Sequence, residues 1–202
     1  MKRMILIQLA FILLVLQMNA QVADVLQRIR SAGKNVESFE ATVTNVRQKK
    51  SGKTETQAGQ LYFISPNEFA ALFETGRYMI ANEKQLKMDI GLFHGTFKLK
   101  EGGTMRALSN IFLYGFQGKC QELADENNYS VKVMEGIDYT VVLTNNKRNL
   151  LGIDYQQIIF HFKKDDLLIR EFILIDTRGT SNTYTISNMK CNVAVSKDIF
   201  KT

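Results

Sequence analysis

The sequence predicts an α+β protein that is mainly β, with a curled antiparallel sheet covered by helices. Alternation of apolar and polar residues recurs in about ten or eleven short segments, which is the period of half-buried strands. Tight turns join these segments in sequence, which indicates antiparallel pairing. Helical spacing interrupts them only at the start of the mature chain and in its middle. A sheet of that many strands tends to curl or close.

The first residues have the layout of a bacterial secretory signal. Lys2 and Arg3 precede an apolar run from Met4 to Leu16, and the small residue Ala20 stands at the expected cut. The run is shorter than the about 20 apolar residues of a membrane span. We therefore expect residues 1–20 to be a signal peptide cleaved after Ala20, with an uncleaved anchor as the alternative. The rest, residues 21–202, is expected to be one exported, periplasmic domain.

The first half of the mature chain predicts one helix and then strands. The helix spans Val22 to Lys34, where Val25, Leu26 and Ile29 have helical spacing and Gly33 is placed to end it. The strand patterns that follow are separated by turns such as Lys50–Lys53 and Ser65–Asn67. They cover Phe39 to Thr44, Gly59 to Ile64, Glu68 to Phe73, Tyr78 to Ala81, Gln85 to Ile90 and Thr96 to Leu99.

A second helix is predicted from Met105 to Phe116. Its apolar residues recur at steps of three and four, and Leu113 and Tyr114 widen the apolar face beyond that of an ordinary surface helix. Such a helix must pack against a large apolar surface. Strand patterns then resume over Tyr129–Val133, Tyr139–Leu143, Tyr155–Phe162, Leu167–Ile175 and a last segment from Tyr184 to Phe200, with a polar loop at Asn145–Asn149.

No pattern in the chain indicates catalysis, a metal or a cofactor. The two histidines, His94 and His161, have no Cys, Asp or Glu at the spacing of metal ligands. No nucleophile elbow or phosphate-binding glycine loop is present in the sequence. The acidic pairs Asp125-Glu126 and Asp165-Asp166 are expected in turns, where such charges are usually solvated. We predict that the protein is not an enzyme and has no cofactor.

The net charge and the cysteine content limit which binding partners the protein can have. A net charge of +6 over 202 residues is mild, and no basic run alternates with aromatic residues, so we expect no nucleic-acid partner. Cys120 and Cys191 lack the spacing of a metal or redox site. In an exported protein they could form one disulfide or remain small apolar thiols, and the sequence leaves both open.

Apolar residues are in excess on several strands. Tyr62 and Ile64 lie opposite Leu61 and Phe63 on the two faces of one predicted strand. The excess fits a two-layer core, which the pattern alone favours. It also fits a cavity beneath the Met105–Phe116 helix, since flexible Met and Phe side chains suit a pocket for variable acyl chains.

The order of elements resembles the LolA family of periplasmic carriers of outer-membrane lipoproteins. Residues Ser38–Val43 (SFEATV) are similar to the family's first strand. Gly59–Phe63, followed by Pro66-Asn67 and Phe69, is similar to its next hairpin. Met105–Phe116 occupies the place of its inner apolar helix. The resemblance covers nearly the whole mature chain.

This resemblance implies a half-open β-barrel whose concave side holds the acyl groups of a lipoprotein under apolar helices. The carrier, a monomer, would take acylated lipoprotein cargo from an ATP-driven inner-membrane complex and pass it to an outer-membrane receptor. Two departures stand out. The family's arginine before Pro-Asn, which helps to hold the lid closed, is Ser65 here, with Arg77 and Arg106 as candidates to replace it. The family's strand tryptophans are absent.

Eleven residues are predicted to line the acyl-binding pocket, provided that the strand register is right, since a one-residue slip would turn strand residues outward. Replacing Phe112 with Asp is expected to weaken cargo binding more than folding. Two alternatives stay open: a binding protein for another envelope lipid or hydrophobic product, and a cargo-free envelope sensor or interaction domain. The predicted lining is Phe39, Val43, Leu61, Phe63, Phe69, Phe73, Met79, Met88, Leu108, Phe112 and Phe116.

Overall fold

The computed structural model describes residues 20–90, 93–146 and 155–201. The predicted signal peptide up to residue 19, and residues 147–149 of the predicted polar loop, lie outside the described residues. The described helices are α1 (residues 20–34), α2 (Thr104–Phe116), α3 (Cys120–Asn127) and a short 3-10 helix (Lys197–Phe200).

The described part of the chain contains eleven strands, and all of them belong to one antiparallel sheet. Their order across the sheet is β6-β5-β4-β3-β2-β1-β11-β10-β9-β8-β7, so two meanders meet where β1 pairs with β11. The strands are β1 (Ser38–Gln48), β2 (Thr54–Ile64), β3 (Glu68–Phe73), β4 (Tyr78–Ala81), β5 (Gln85–Ile90), β6 (Phe93–Lys98), β7 (Tyr129–Glu135), β8 (Tyr139–Asn145), β9 (Tyr155–Phe162), β10 (Ile169–Asp176) and β11 (Ser181–Cys191).

The sheet is open between its two edges, β6 and β7. These strands are consecutive in the sequence, so the chain crosses from one edge of the sheet to the other between them. Helices α2 and α3 form this crossing, and α2 packs on β3, β5 and β10 from both meanders. The predicted fold class, an open antiparallel sheet covered by an apolar helix, is confirmed.

The strand faces agree with the predicted alternation. On β1, Phe39, Ala41 and Val43 are buried while their neighbours are partly exposed. The register aligns Phe39 with Phe63 of β2, and Phe63 in turn with Phe69 of β3. Bulky side chains from adjacent strands therefore meet on the same inner face, which α2 covers.

Helix α1 packs against the connection between α2 and α3 through two glycines. At Gly118, φ is +65°, and an added Cβ would lie 2.6 Å from the carbonyl oxygen of Ile29 in α1. Gly33 of α1 faces the backbone of Gln117 just as closely. The absence of side chains at both positions lets the two backbones touch, which anchors α1 against the connection between α2 and α3.

Helix α3 was not predicted. Its eight residues bury only Cys120, Leu123 and Ala124, which is too short a pattern to distinguish from a polar loop. The pair Asp125-Glu126, expected in a turn, therefore lies on a helix. The last strand is also shorter than expected, since β11 ends at Cys191. The two cysteines are free thiols, and burial raises the pKa of Cys120.

Candidate functional site

All eleven predicted lining residues lie on the interior of the half-barrel, each at most 5% exposed. The strand register assumed from the sequence therefore places them on the covered face. The structure separates them into two groups. All eleven belong to a packed aromatic and aliphatic core, but Met79, Leu108 and Phe112 also border a cavity.

The core group is centred on Phe116 of α2. Its ring lies 5.3 Å from that of Phe39, 5.6 Å from Phe63 and 6.0 Å from Phe69, measured between centroids and all edge to face. These are the distances and angles of favourable aromatic pairs in direct contact. The interior beneath the end of α2 is therefore filled by the protein's own side chains.

Phe112 lies at the boundary between this core and the cavity. It stacks on Phe69 at 5.1 Å and meets Phe172 of β10 edge to face at 5.1 Å. A further contact joins it to Tyr184 of β11 at 5.5 Å. Strands on both sides of the β1–β11 junction thus touch one side chain of α2, and Phe112 also lines the cavity.

The cavity has a volume of about 440 Å³ and lies at the end of the sheet that carries the β3–β4 turn and the start of β9. Met79, Leu108 and Phe112 form its buried apolar base, and its exposed mouth is mainly polar, with Thr56, Thr75 and Arg77 beside the ring of Phe93. Three of its lining residues are among the eleven predicted from the sequence. The others were not predicted, and they include Asn45, Arg47, Gln57, Arg77, Tyr155 and Tyr184.

A chain of hydrogen bonds joins three strands across the wall of the cavity. The amide of Asn45 donates to the carbonyl oxygen of Thr183 at 3.3 Å, and Gln57 Nε2 donates to Asn45 Oδ1 at 3.2 Å. The hydroxyl of Thr75 then donates to Gln57 Oε1 at 3.1 Å. These bonds satisfy Asn45, which is only 4% exposed, and fix the polar level of the cavity.

Two arginines and one carboxylate complete the mouth. Nε of Arg47 is buried and makes no hydrogen bond within the described structure. Arg77 lines the same space from the turn before β4. Glu55 Oε1 lies 3.2 Å from Lys49 Nζ and 3.7 Å from Lys53 Nζ, and the hydrogen bond from Lys49 lowers the pKa of this carboxyl group. Arg47, directly opposite Glu55 in the β1–β2 register, also lowers this pKa, and the two lysines and two arginines around one carboxylate give the mouth a net positive charge.

Polar contacts fasten α2 to the sheet at both of its ends. Near its start, Arg106 Nη2 donates to the carbonyl oxygens of Glu83 at 3.0 Å and Leu99 at 3.1 Å. Just after its end, Gln117 Nε2 donates to the carbonyl oxygen of Pro66 at 2.8 Å. Of the two candidates to replace the family arginine, Arg106 contacts the helix–sheet junction, whereas Arg77 lines the cavity.

The described residues show neither a metal centre nor a membrane helix. In the ranges that the structure covers, no group of three or more His, Cys, Asp or Glu side chains could hold a metal ion. None of the helices in those ranges is long and apolar enough to cross a membrane.

Burial raises the pKa of Tyr155 and of Tyr184 in the cavity wall, so both phenols are neutral.

The cavity and the aromatic core thus lie in an open antiparallel sheet whose apolar interior is covered by a crossing helix. The model of the family described as "Outer membrane lipoprotein carrier protein LolA" matches residues 34–202, and the chain belongs to the LolA family. No curated protein matches the chain.

Solved structures are similar to this chain at low sequence identity, and the first two below share its fold. An uncharacterized conserved protein from Thermus thermophilus is 10% identical with a TM-score of 0.51, over 90% of this chain and 94% of that one. MucB is 14% identical with a TM-score of 0.50, over 91% of this chain and 63% of its own. A LolA superfamily protein from Nitrosomonas europaea is 11% identical with a TM-score of 0.43, over 89% and 97% of the two chains.

Proposed function

We propose that this protein carries lipoproteins through the periplasm by enclosing their acyl chains inside the half-barrel. The observation that carries the proposal is the placement of α2. This apolar helix covers an aromatic interior within a sheet that is open between β6 and β7. Polar hydrogen bonds near its two ends, through Arg106 and Gln117, tie it to the sheet.

The closed interior has no room for long acyl chains beside the Phe116 cluster, so cargo must displace α2. Acyl chains would then replace the helix side chains against the inner face of the sheet. Each buried methylene group contributes about 0.8 kcal/mol. Closing the empty barrel buries Phe112 and Phe116 again, which offsets much of that gain and permits release. The eleven predicted lining residues form the acyl-binding surface in this open state.

The proposal includes export and delivery. Residues 1–20 are a signal peptide that is removed after Ala20, and residues 21–202 act as one monomeric domain in the periplasm. An ATP-driven inner-membrane complex loads the carrier, and an outer-membrane receptor unloads it. The protein's own part is passive binding without catalysis or a cofactor.

Native mass spectrometry of the mature chain tests the cargo. We expect a triacylated lipopeptide to bind with a stoichiometry of one, and phospholipid vesicles not to displace it. Phospholipid that binds tightly while lipopeptide does not would contradict lipoprotein carriage. That result would support a second candidate, binding of another envelope lipid, which the polar mouth of the cavity favours. A chain that binds no lipid at all would point to an interaction domain.

The hydrogen bonds at the ends of α2 are predicted to oppose loading. Gln117→Ala and Arg106→Ala should each raise lipopeptide affinity about fivefold, because each removes about 1 kcal/mol from the closed state alone. Isothermal titration calorimetry measures the affinity, and thermal unfolding reports the loss of closed-state stability.

Matched controls are available for Gln117→Ala and Arg106→Ala, which we call the latch variants. Gln121→Ala removes a helical glutamine whose amide donates to Asp125 on the surface of α3. Arg170→Ala removes an arginine that is exposed on β10 and paired with Asp138. Neither should change affinity. If the latch variants lose stability without gaining affinity, these bonds support the fold and do not oppose opening.

A further inference from the structure

The mouth of the cavity combines features that the carriage of neutral acyl chains does not require. On the inner face of β1, the alternating positions run Phe39, Ala41, Val43, Asn45 and Arg47. The face thus changes from apolar to polar to cationic toward the end of the sheet. An apolar base below a cationic rim matches an amphiphile with one anionic group.

Arg47 is the main reason to expect a ligand there. An arginine presents five donors in a planar fork that matches the oxygens of a carboxylate or phosphate. Here the Nε atom is buried and has no hydrogen-bond partner in the described structure. Leaving a buried donor unpaired is costly, and an incoming anion would remove that cost.

The surroundings of Arg47 favour an anion. Arg77 lines the same cavity, and the neighbouring phenols of Tyr155 and Tyr184 are neutral. The one carboxylate in the lining, Glu55, lies opposite Arg47 in the β1–β2 register and is paired with Lys49 and Lys53, so the cations still outnumber it. Below this level, Met79, Leu108 and Phe112 offer an apolar surface. The volume of about 440 Å³ is within the range of small-molecule sites.

We propose that the closed form binds a single-chain anionic amphiphile, with its carboxylate or phosphate on Arg47 and Arg77 and its alkyl chain against Leu108 and Phe112. The site exists without displacement of α2, so the inference does not rest on lipoprotein carriage. Asn45 and Gln57 mark the level at which the head group meets the chain, since their hydrogen-bonded amides separate the cationic rim from the apolar base.

Calorimetric titration of the mature chain with dodecyl phosphate and with dodecanoate, below their critical micelle concentrations, tests the site. We expect both to bind. Uncharged monolauroylglycerol should bind at least about tenfold more weakly. Arg47→Gln and Arg77→Gln should each cost about tenfold in affinity for the anionic probes. Arg170→Gln lowers the net charge equally at the opposite end of the sheet and should have no effect.

Three results would overturn the proposal. Equal affinity for monolauroylglycerol would mean that the arginines are only solvated rim residues. Unchanged affinity in Arg47→Gln and Arg77→Gln, with the folding of both verified by circular dichroism, would also mean that these arginines do not bind the head group. Competition by inorganic phosphate at the concentrations of dodecyl phosphate would identify a site for the free anion without an alkyl chain. Lipopeptide binding by the wild-type protein is measured separately, so the two proposals can fail independently.

Discussion

Replacing Phe116 with alanine is expected to lower the free energy of unfolding by about 3–5 kcal/mol, the usual cost of removing a fully buried phenylalanine. The ring is 4% exposed and contacts Phe39, Phe63 and Phe69 from three consecutive strands of one meander. It also faces Phe172 from the other meander at 6.3 Å. Its removal leaves a void at the point where α2 joins the two halves of the sheet.

Urea unfolding followed by circular dichroism measures this loss. Phe93→Ala is the matched control, because that ring is 39% exposed at the start of β6 and should cost at most about 1 kcal/mol. Natural domains are stable by only about 5–15 kcal/mol, so the Phe116 variant uses a large part of the total. A loss below about 1 kcal/mol for Phe116→Ala would contradict a closed resting state, since an interior that already admits solvent has little packing to lose.

The faces of the strands could be predicted from the sequence because alternation determines them. Once Phe39, Ala41 and Val43 were assigned to one face, the register of the β1–β2 hairpin placed Leu61 and Phe63 beside them. The wide apolar face of Met105–Phe116 likewise required an apolar partner, and the interior of the half-barrel provides it. Periodicity gives the direction in which a side chain points, so these inward-facing residues could be predicted from the sequence.

The division of those residues into core and cavity could not be predicted, because periodicity carries no information on volume. Phe116 and Phe112 are one helical turn apart on the same face of α2, yet only Phe112 borders the cavity. The contacts of Arg106 and Gln117 could not be predicted either, since their acceptors are backbone carbonyl oxygens, which every residue has. The sequence did contain a pattern that indicates the polar mouth of the cavity. Continuing the alternation of β1 past Val43 places Asn45 and Arg47 on the inner face.

The exchange of Phe112 for aspartate tests whether this interior opens for cargo. We expect lipopeptide affinity to fall at least 1,000-fold, about 4 kcal/mol, because acyl chains that fill the barrel must strip water from the new carboxylate. The cost to folding should be smaller, about 3 kcal/mol, at the low end for a buried phenylalanine. In the empty protein one side of residue 112 borders the cavity, whose rim at Thr56 and Thr75 is exposed, so the carboxylate keeps contact with water.

Native mass spectrometry gives the lipopeptide occupancy, and urea unfolding gives the stability of the same preparations. Phe112→Leu is the matched control, because it keeps an apolar side chain and should retain affinity to within about tenfold. Phe112→Ala separates loss of the ring from gain of charge, and should remain folded if the aspartate variant does not. If the alanine variant binds as the wild type does while the aspartate variant unfolds, Phe112 belongs to a core that stays closed, and the acyl chains must bind elsewhere. Loss of binding in a folded aspartate variant would instead place residue 112 in the path of the cargo, where the covering helix and the sheet separate.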